Sequence, residues 1–111
     1  MIDWSRVAEL HEEVGDDALG EVLELFASEV DEGLERLNVA TSPKALAAEF
    51  HFLKGAALNL GLDHVAQLCA AGEAGALAGN PTDSEREAIT RDFPECCRML
   101  RAEWRSRLCV R

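Results

Sequence analysis

The chain contains no tyrosine, only three prolines and few β-branched residues. Strands draw on aromatic and β-branched side chains, so this scarcity argues against sheet nearly everywhere and leaves Ala, Leu and Glu to favour helix. Positive charge is short as well. Eleven Lys plus Arg stand against 21 Asp plus Glu in 111 residues, a formal charge of 11 − 21 = −10. Such a surface repels phosphate backbones and anionic headgroups, and its cations are scattered, so neither nucleic acid nor a membrane surface is an expected partner. No apolar run approaches the ~18 residues of a spanning helix. Met1-Ile2-Asp3-Trp4 lacks the basic-then-apolar order of a secretory signal, and the expected location is the cytoplasm.

Other chemistries are missing too. There is no Gly-rich nucleotide loop, which argues against an autonomous kinase. Cys69, Cys96, Cys97 and Cys109 form no paired CxxC pattern, and the adjacent Cys96 and Cys97 do not suit an ordinary disulfide, so the cysteines read as buried thiols without a structural metal. A carboxylate-bridged metal bundle would need Glu-x-x-His pairs, which His11 and His64 lack; both read as solvated. Trp4 and Trp104 read as hydrophobic anchors at the ends of the fold.

What is present is helical patterning over one expected domain, residues 1–111. Asp3 can cap a short first helix bearing Val7, Leu10 and Val14, which Gly15 ends. After Asp16, Leu19, Val22, Leu23, Phe26, Val30, Leu34 and Leu37 recur at three- and four-residue steps over about five turns, with Glu21, Glu24, Asp31 and Glu35 opposite. Pro43 suits the first turn of a third helix that Gly61 can terminate. The fourth, roughly residues 63–78, is rich in Ala and Gly, which weakens its propensity and permits close packing. Thr82 with Glu85 fits a capping box for the last helix, whose core would be Ile89, Phe93, Cys96 or Cys97, Leu100 and Trp104. Pro94 falls inside that pattern and predicts a kink or short break near Asp92 and Phe93. Short connections then imply an all-α, antiparallel four-helix bundle with a short N-terminal capping helix.

The third helix carries the chemistry. At about 100° per residue, Leu46, Phe50, Leu53, Ala57 and Leu60 fall within about 40° of one direction, which marks the core, and His51 points about 140° away. Lys44, Ala47, Ala48, Lys54, Gly55 and Leu58 share its face. Glycine inside a helix costs about 1 kcal/mol relative to alanine, and Gly55, one turn beyond His51, bares the imidazole to a large approaching body. The plainer alternative, a tight helix crossing at Gly55, conflicts with its direction opposite the core stripe. Lys54 can reach a group attached to the ring.

The run His51-Phe52-Leu53-Lys54-Gly55-Ala56-Ala57-Leu58-Asn59-Leu60-Gly61 resembles the His-x-Leu-Lys-Gly-x-x-x-Asn-Leu-Gly signature of histidine-containing phosphotransfer (HPt) domains. Glu13-Val14-Gly15-Asp16-Asp17, followed by an acidic helix with Leu25-Phe26 and Glu29, resembles the first two helices of that family, whereas the stretch after Asn80 matches in helical character only and Pro94 is a departure. The resemblance implies a phosphorelay protein of two-component signal transduction. His51 would take a phosphoryl group at Nε2 from a receiver-domain aspartate and pass it to another receiver. Lys54 would offset phosphoryl charge, and Gly55 would admit the partner. An exposed imidazole titrates near about pH 6.5, so much of it is a neutral nucleophile at pH 7 that needs no activating base.

The resemblance further implies no cofactor in this chain, with magnesium held by the partner receiver, and it implies response-regulator receivers and a hybrid histidine kinase as partners of a monomer that has no kinase activity of its own. Leu25 and Leu58, with Val22 and Glu29 at the edge and Ala47 and Ala48 flattening the surface, are the candidate contacts for a partner docking over the second and third helices around Gly55. Leu25 and Leu58 could instead pack against flanking helices. A non-catalytic module that holds a receiver or kinase without transferring phosphate also remains open.

Overall fold

A computed structural model describes residues 2–110. Five helices follow in order: α1 (Trp4–Val14), α2 (Asp16–Val39), α3 (Pro43–Asn59), α4 (Asp63–Leu77) and α5 (Asp83–Arg107), with no strand among the described residues. The Asp3 carboxylate accepts from the backbone N–H groups of Ser5 and Arg6, capping α1. Ser42 caps α3 through Ala45 N–H, with Pro43 in the first turn. Gly15 and Gly61 turn the chain at φ 84° and 74°. At Gly61 no other residue fits, since its carbonyl accepts from Asp3 N–H at 2.7 Å and a Cβ would lie 2.6 Å from the Asp3 carbonyl oxygen. That contact pins the start of α1 to the end of α3.

α2 packs on α3 and α5, α4 packs on the same two, and α1 lies against α2. Glycines set two of the contacts. A Cβ at Gly33 of α2 would meet Leu53 at 2.9 Å, and one at Gly72 of α4 would meet the Phe50 ring at 2.3 Å. The partners of α3 run in reverse order along both neighbours: Gly33 faces Leu53 while Arg36 reaches Glu49, and Gly72 faces Phe50 while Asp63 and Gln67 lie by Leu58. Both helix pairs are therefore antiparallel.

The buried stripe of α3 comprises Ala47, Phe50, Leu53, Ala56 and Ala57, wider than expected on both sides. Glycine on α2 and on α4 lets α3 sink between them, so Ala47, expected beside His51, lies in the core at 7% exposure. Leu46 and, on α2, Val22 and Phe26 are only half-buried against that core.

Of the kink or short break expected near Pro94 the last helix shows no break, and its expected capping box does not form. It runs through Pro94 without a break, because Ile89, Phe93, Cys97, Leu100 and Trp104 bury along one stripe against α2 and α4, outweighing the ~3 kcal/mol cost of an internal proline. Thr82 makes no side-chain cap. It is buried instead, its methyl turned to α4, where a Cβ at Gly75 would lie 3.4 Å away. His11 is also partnered rather than solvated: its Nε2 pairs with the Asp16 carboxylate, and its ring centroid lies 6.0 Å from that of Trp104. Trp104 is buried and Trp4 half-buried against the core, while His64 stays exposed, 3.8 Å from Asp92. All four cysteines are free. Cys69 and Cys97 are buried as expected, Cys96 is half-buried, and Cys109 is exposed because it lies beyond the last buried turn at Trp104.

Candidate functional site

His51 projects from the middle of α3 with 68% of its side chain exposed. A residue that the sequence reading did not single out holds it. Glu73 of α4 places Oε2 3.1 Å from His51 Nδ1 and Oε1 2.9 Å from Lys54 Nζ, so one carboxylate bridges the imidazole and the ammonium. The tight α3–α4 contact one residue earlier on each helix, Phe50 over Gly72, sets the reach of that bridge. Glu73 did carry a signal: between Asp63 and Asp83 it is the only Asp, Glu, Lys or Arg, a lone charge in an Ala- and Gly-rich run.

Two consequences follow from the geometry. A carboxylate can only accept, so Nδ1 is the protonated nitrogen in the neutral ring and Nε2 keeps the lone pair. Donation from Lys54, foremost, and the neighbouring His51 hold the Glu73 carboxyl below its ordinary range, which keeps the bridge ionised at neutral pH. Beneath Lys54, burial pushes the Cys69 thiol up to about 12, so this neighbour is neutral.

Around His51 the surface is open. A Cβ at Gly55 would meet nothing within 4 Å, so this glycine, unlike Gly33 and Gly72, serves no helix crossing. Lys44 and Ala48 are exposed on the same face. Leu58 and Leu25 are exposed, at 51% and 61%, and neither packs into a flanking helix. The two belong to neighbouring helices, α3 and α2. Leu58 opens onto a groove of about 350 Å³ between α3 and α4, lined also by Lys54, Asp63, Ala66, Gln67 and Ala70, whereas Leu25 belongs to α2. Glu29 is exposed and Val22 half-buried. On the α2 side of His51 stands Phe52, 40% exposed, with the Arg36 guanidinium 5.0 Å from its ring centroid and held by both Glu49 oxygens at 3.0 Å. Among the described residues no three His, Cys, Asp or Glu side chains cluster to hold a metal ion.

The site thus sets an exposed imidazole on the face of α3, beside a lysine and a glycine with nothing over it. The Hpt domain family model matches residues 21–105, and the chain belongs to this family. The match reaches from α2 into α5 and includes Pro94 and the stretch after Asn80, which resembles the family in helical character only. Comparison with curated proteins gives no match, and comparison with solved structures gives none. Hpt domains serve histidine phosphotransfer in phosphorelays, where they meet receiver domains and kinases. No helix among the described residues is long and apolar enough to cross a membrane.

Proposed function

We propose that this chain is the phosphocarrier of a phosphorelay and that His51 is its phosphorylated residue. The lone pair of Nε2 attacks the phosphorus of a receiver's aspartyl phosphate, the P–O bond to that aspartate breaks, and the carboxylate leaves; a second receiver's aspartate then takes the group by the reverse exchange. The observation that carries this reading is the exposed ring whose Nδ1 is engaged by Glu73, so that the nucleophilic nitrogen is the free one. α2 to α5 form the antiparallel four-helix bundle that supports it, a reading favoured by the cycle of contacts α2–α3–α4–α5–α2. Lys54, a turn from the ring, offsets phosphoryl charge, and the surface around Gly55 admits the partner. Magnesium and the aspartates belong to the receivers, and the carrier has no kinase activity of its own.

Labelling tests the assignment. With a receiver and its kinase supplied, the wild-type chain gains an acid-labile, base-stable label that His51→Gln lacks while keeping its helical circular dichroism. Full labelling of that variant, or labelling of the wild type by ATP and magnesium alone, overturns the reading.

A further inference from the structure

An imidazole carrying a phosphoryl group on one nitrogen leaves phosphorus easily only when the other nitrogen holds a proton, because the leaving group is then neutral imidazole and not the strongly basic imidazolate. In this chain the other nitrogen is Nδ1, and it already faces a carboxylate oxygen at 3.1 Å. Resting on phosphorylation of His51 at Nε2, we propose that Glu73 is a positioning residue for the outgoing step: its carboxylate retains the proton on Nδ1 of the phosphohistidine, so that neutral imidazole departs. In that step a new bond forms between phosphorus and the acceptor oxygen, the P–Nε2 bond breaks, and its electron pair returns to Nε2. The Nδ1 proton stays throughout, and where the acceptor is water its proton goes to solvent.

The charges around the ring single out Glu73. On α3 itself they are Lys54, bonded to the other oxygen of Glu73, and Lys44 two turns back on the same face. From α4 there is Glu73 and, for the length of residues 64–82, no other Asp, Glu, Lys or Arg. On α2 the antiparallel register makes Glu32, Glu35 and Arg36 the nearest charges, with Arg36 held by Glu49. Glu73 alone touches Nδ1. A phosphoryl dianion at Nε2 also gives Lys54 a second anion to turn to, and whatever hold Lys54 releases on Glu73 strengthens the bond from the carboxylate to the ring.

The test needs no partner. The whole chain is phosphorylated with phosphoramidate, the His51 signal in the ³¹P NMR spectrum is identified by its absence from His51→Gln, and its loss to water is followed between about pH 5 and pH 10, spanning ordinary imidazole titration. Glu73→Gln keeps an acceptor for Nδ1–H without the charge. It should displace the pH dependence downward by about one unit, making loss on the alkaline limb about tenfold slower, while Glu73→Asp stays nearer wild type. Lys54→Met frees Glu73 and removes a cation, so it should displace the profile upward. A Glu73→Gln profile that coincides with wild type overturns the inference and leaves His51 as the phosphorylated residue. A wild-type chain with no His51 signal overturns that reading and this one together. If Glu73→Gln does not fold, Glu73→Ala decides: a downward displacement supports the role of Glu73, and a profile that coincides with wild type overturns it.

Discussion

Gly72 of α4 lies against the fully buried ring of Phe50 on α3, so close that a Cβ there would sit 2.3 Å from Cε1. The next residue on each helix is His51 or Glu73, and these two share a hydrogen bond, so core packing at one level determines the site at the next.

Gly72→Ala should therefore destabilise the fold although alanine is the better helix former. The ring has no free space to enter, and overpacking typically costs about 1–3 kcal/mol against a propensity gain of about 1 kcal/mol. A net loss of up to about 2 kcal/mol in urea denaturation is expected from that difference, with partial recovery in the double variant Gly72→Ala, Phe50→Leu, where a smaller side chain makes room. Unchanged or increased stability of the single variant would show that α3 and α4 separate at no cost.

Gly55→Gln should do the opposite. Its site is open, so the substitution gains about 0.5 kcal/mol of helix propensity and creates no clash. Labelling by phosphoramidate, a small donor, should proceed as in wild type, while transfer from a phosphorylated receiver should slow at least about tenfold because a long side chain stands where the partner approaches, a loss of about 1.4 kcal/mol in the transition state. Equal transfer rates for the two proteins would place the docking surface elsewhere.

The thiols should fall into separate reactivity classes. Cys109 is exposed and should react at once with a disulfide reagent at pH 8, and half-buried Cys96 more slowly. Cys69 and Cys97 are buried and pushed by desolvation up to about 12, so both remain neutral thiols in the native protein. They should react only at the rate of global opening, and urea should accelerate them in step with unfolding. Rapid modification of either in native buffer would mean that the core opens locally around α4 or α5.

Much of the fold was legible because it rests on local chemistry. Asp3, Pro43, Gly15 and Gly61 start and stop helices through their own backbone preferences, and the α5 stripe of Ile89, Phe93, Leu100 and Trp104 repeats at helical spacing. His51 could be placed off the core from the wheel alone, and the surrounding motif named the family. What the pattern missed depends on how deeply one helix settles onto another. Ala47 is apolar and small on any wheel, and only the sinking of α3 between Gly33 and Gly72 buries it. Pro94 reads as a kink or a short break because local sterics oppose helix there, and a stripe of buried side chains carries the helix through without a break.

Sequence by itself determined that this chain is helical and acidic and that His51 lies off the core stripe of its helix, since composition, capping and periodicity act over a turn or two. Tertiary structure decided which nitrogen of that histidine is engaged, because the group that engages it stands 22 residues away on another helix. A hydrogen bond across that distance exists only once α3 and α4 pack in one register, and no spacing along the chain encodes it.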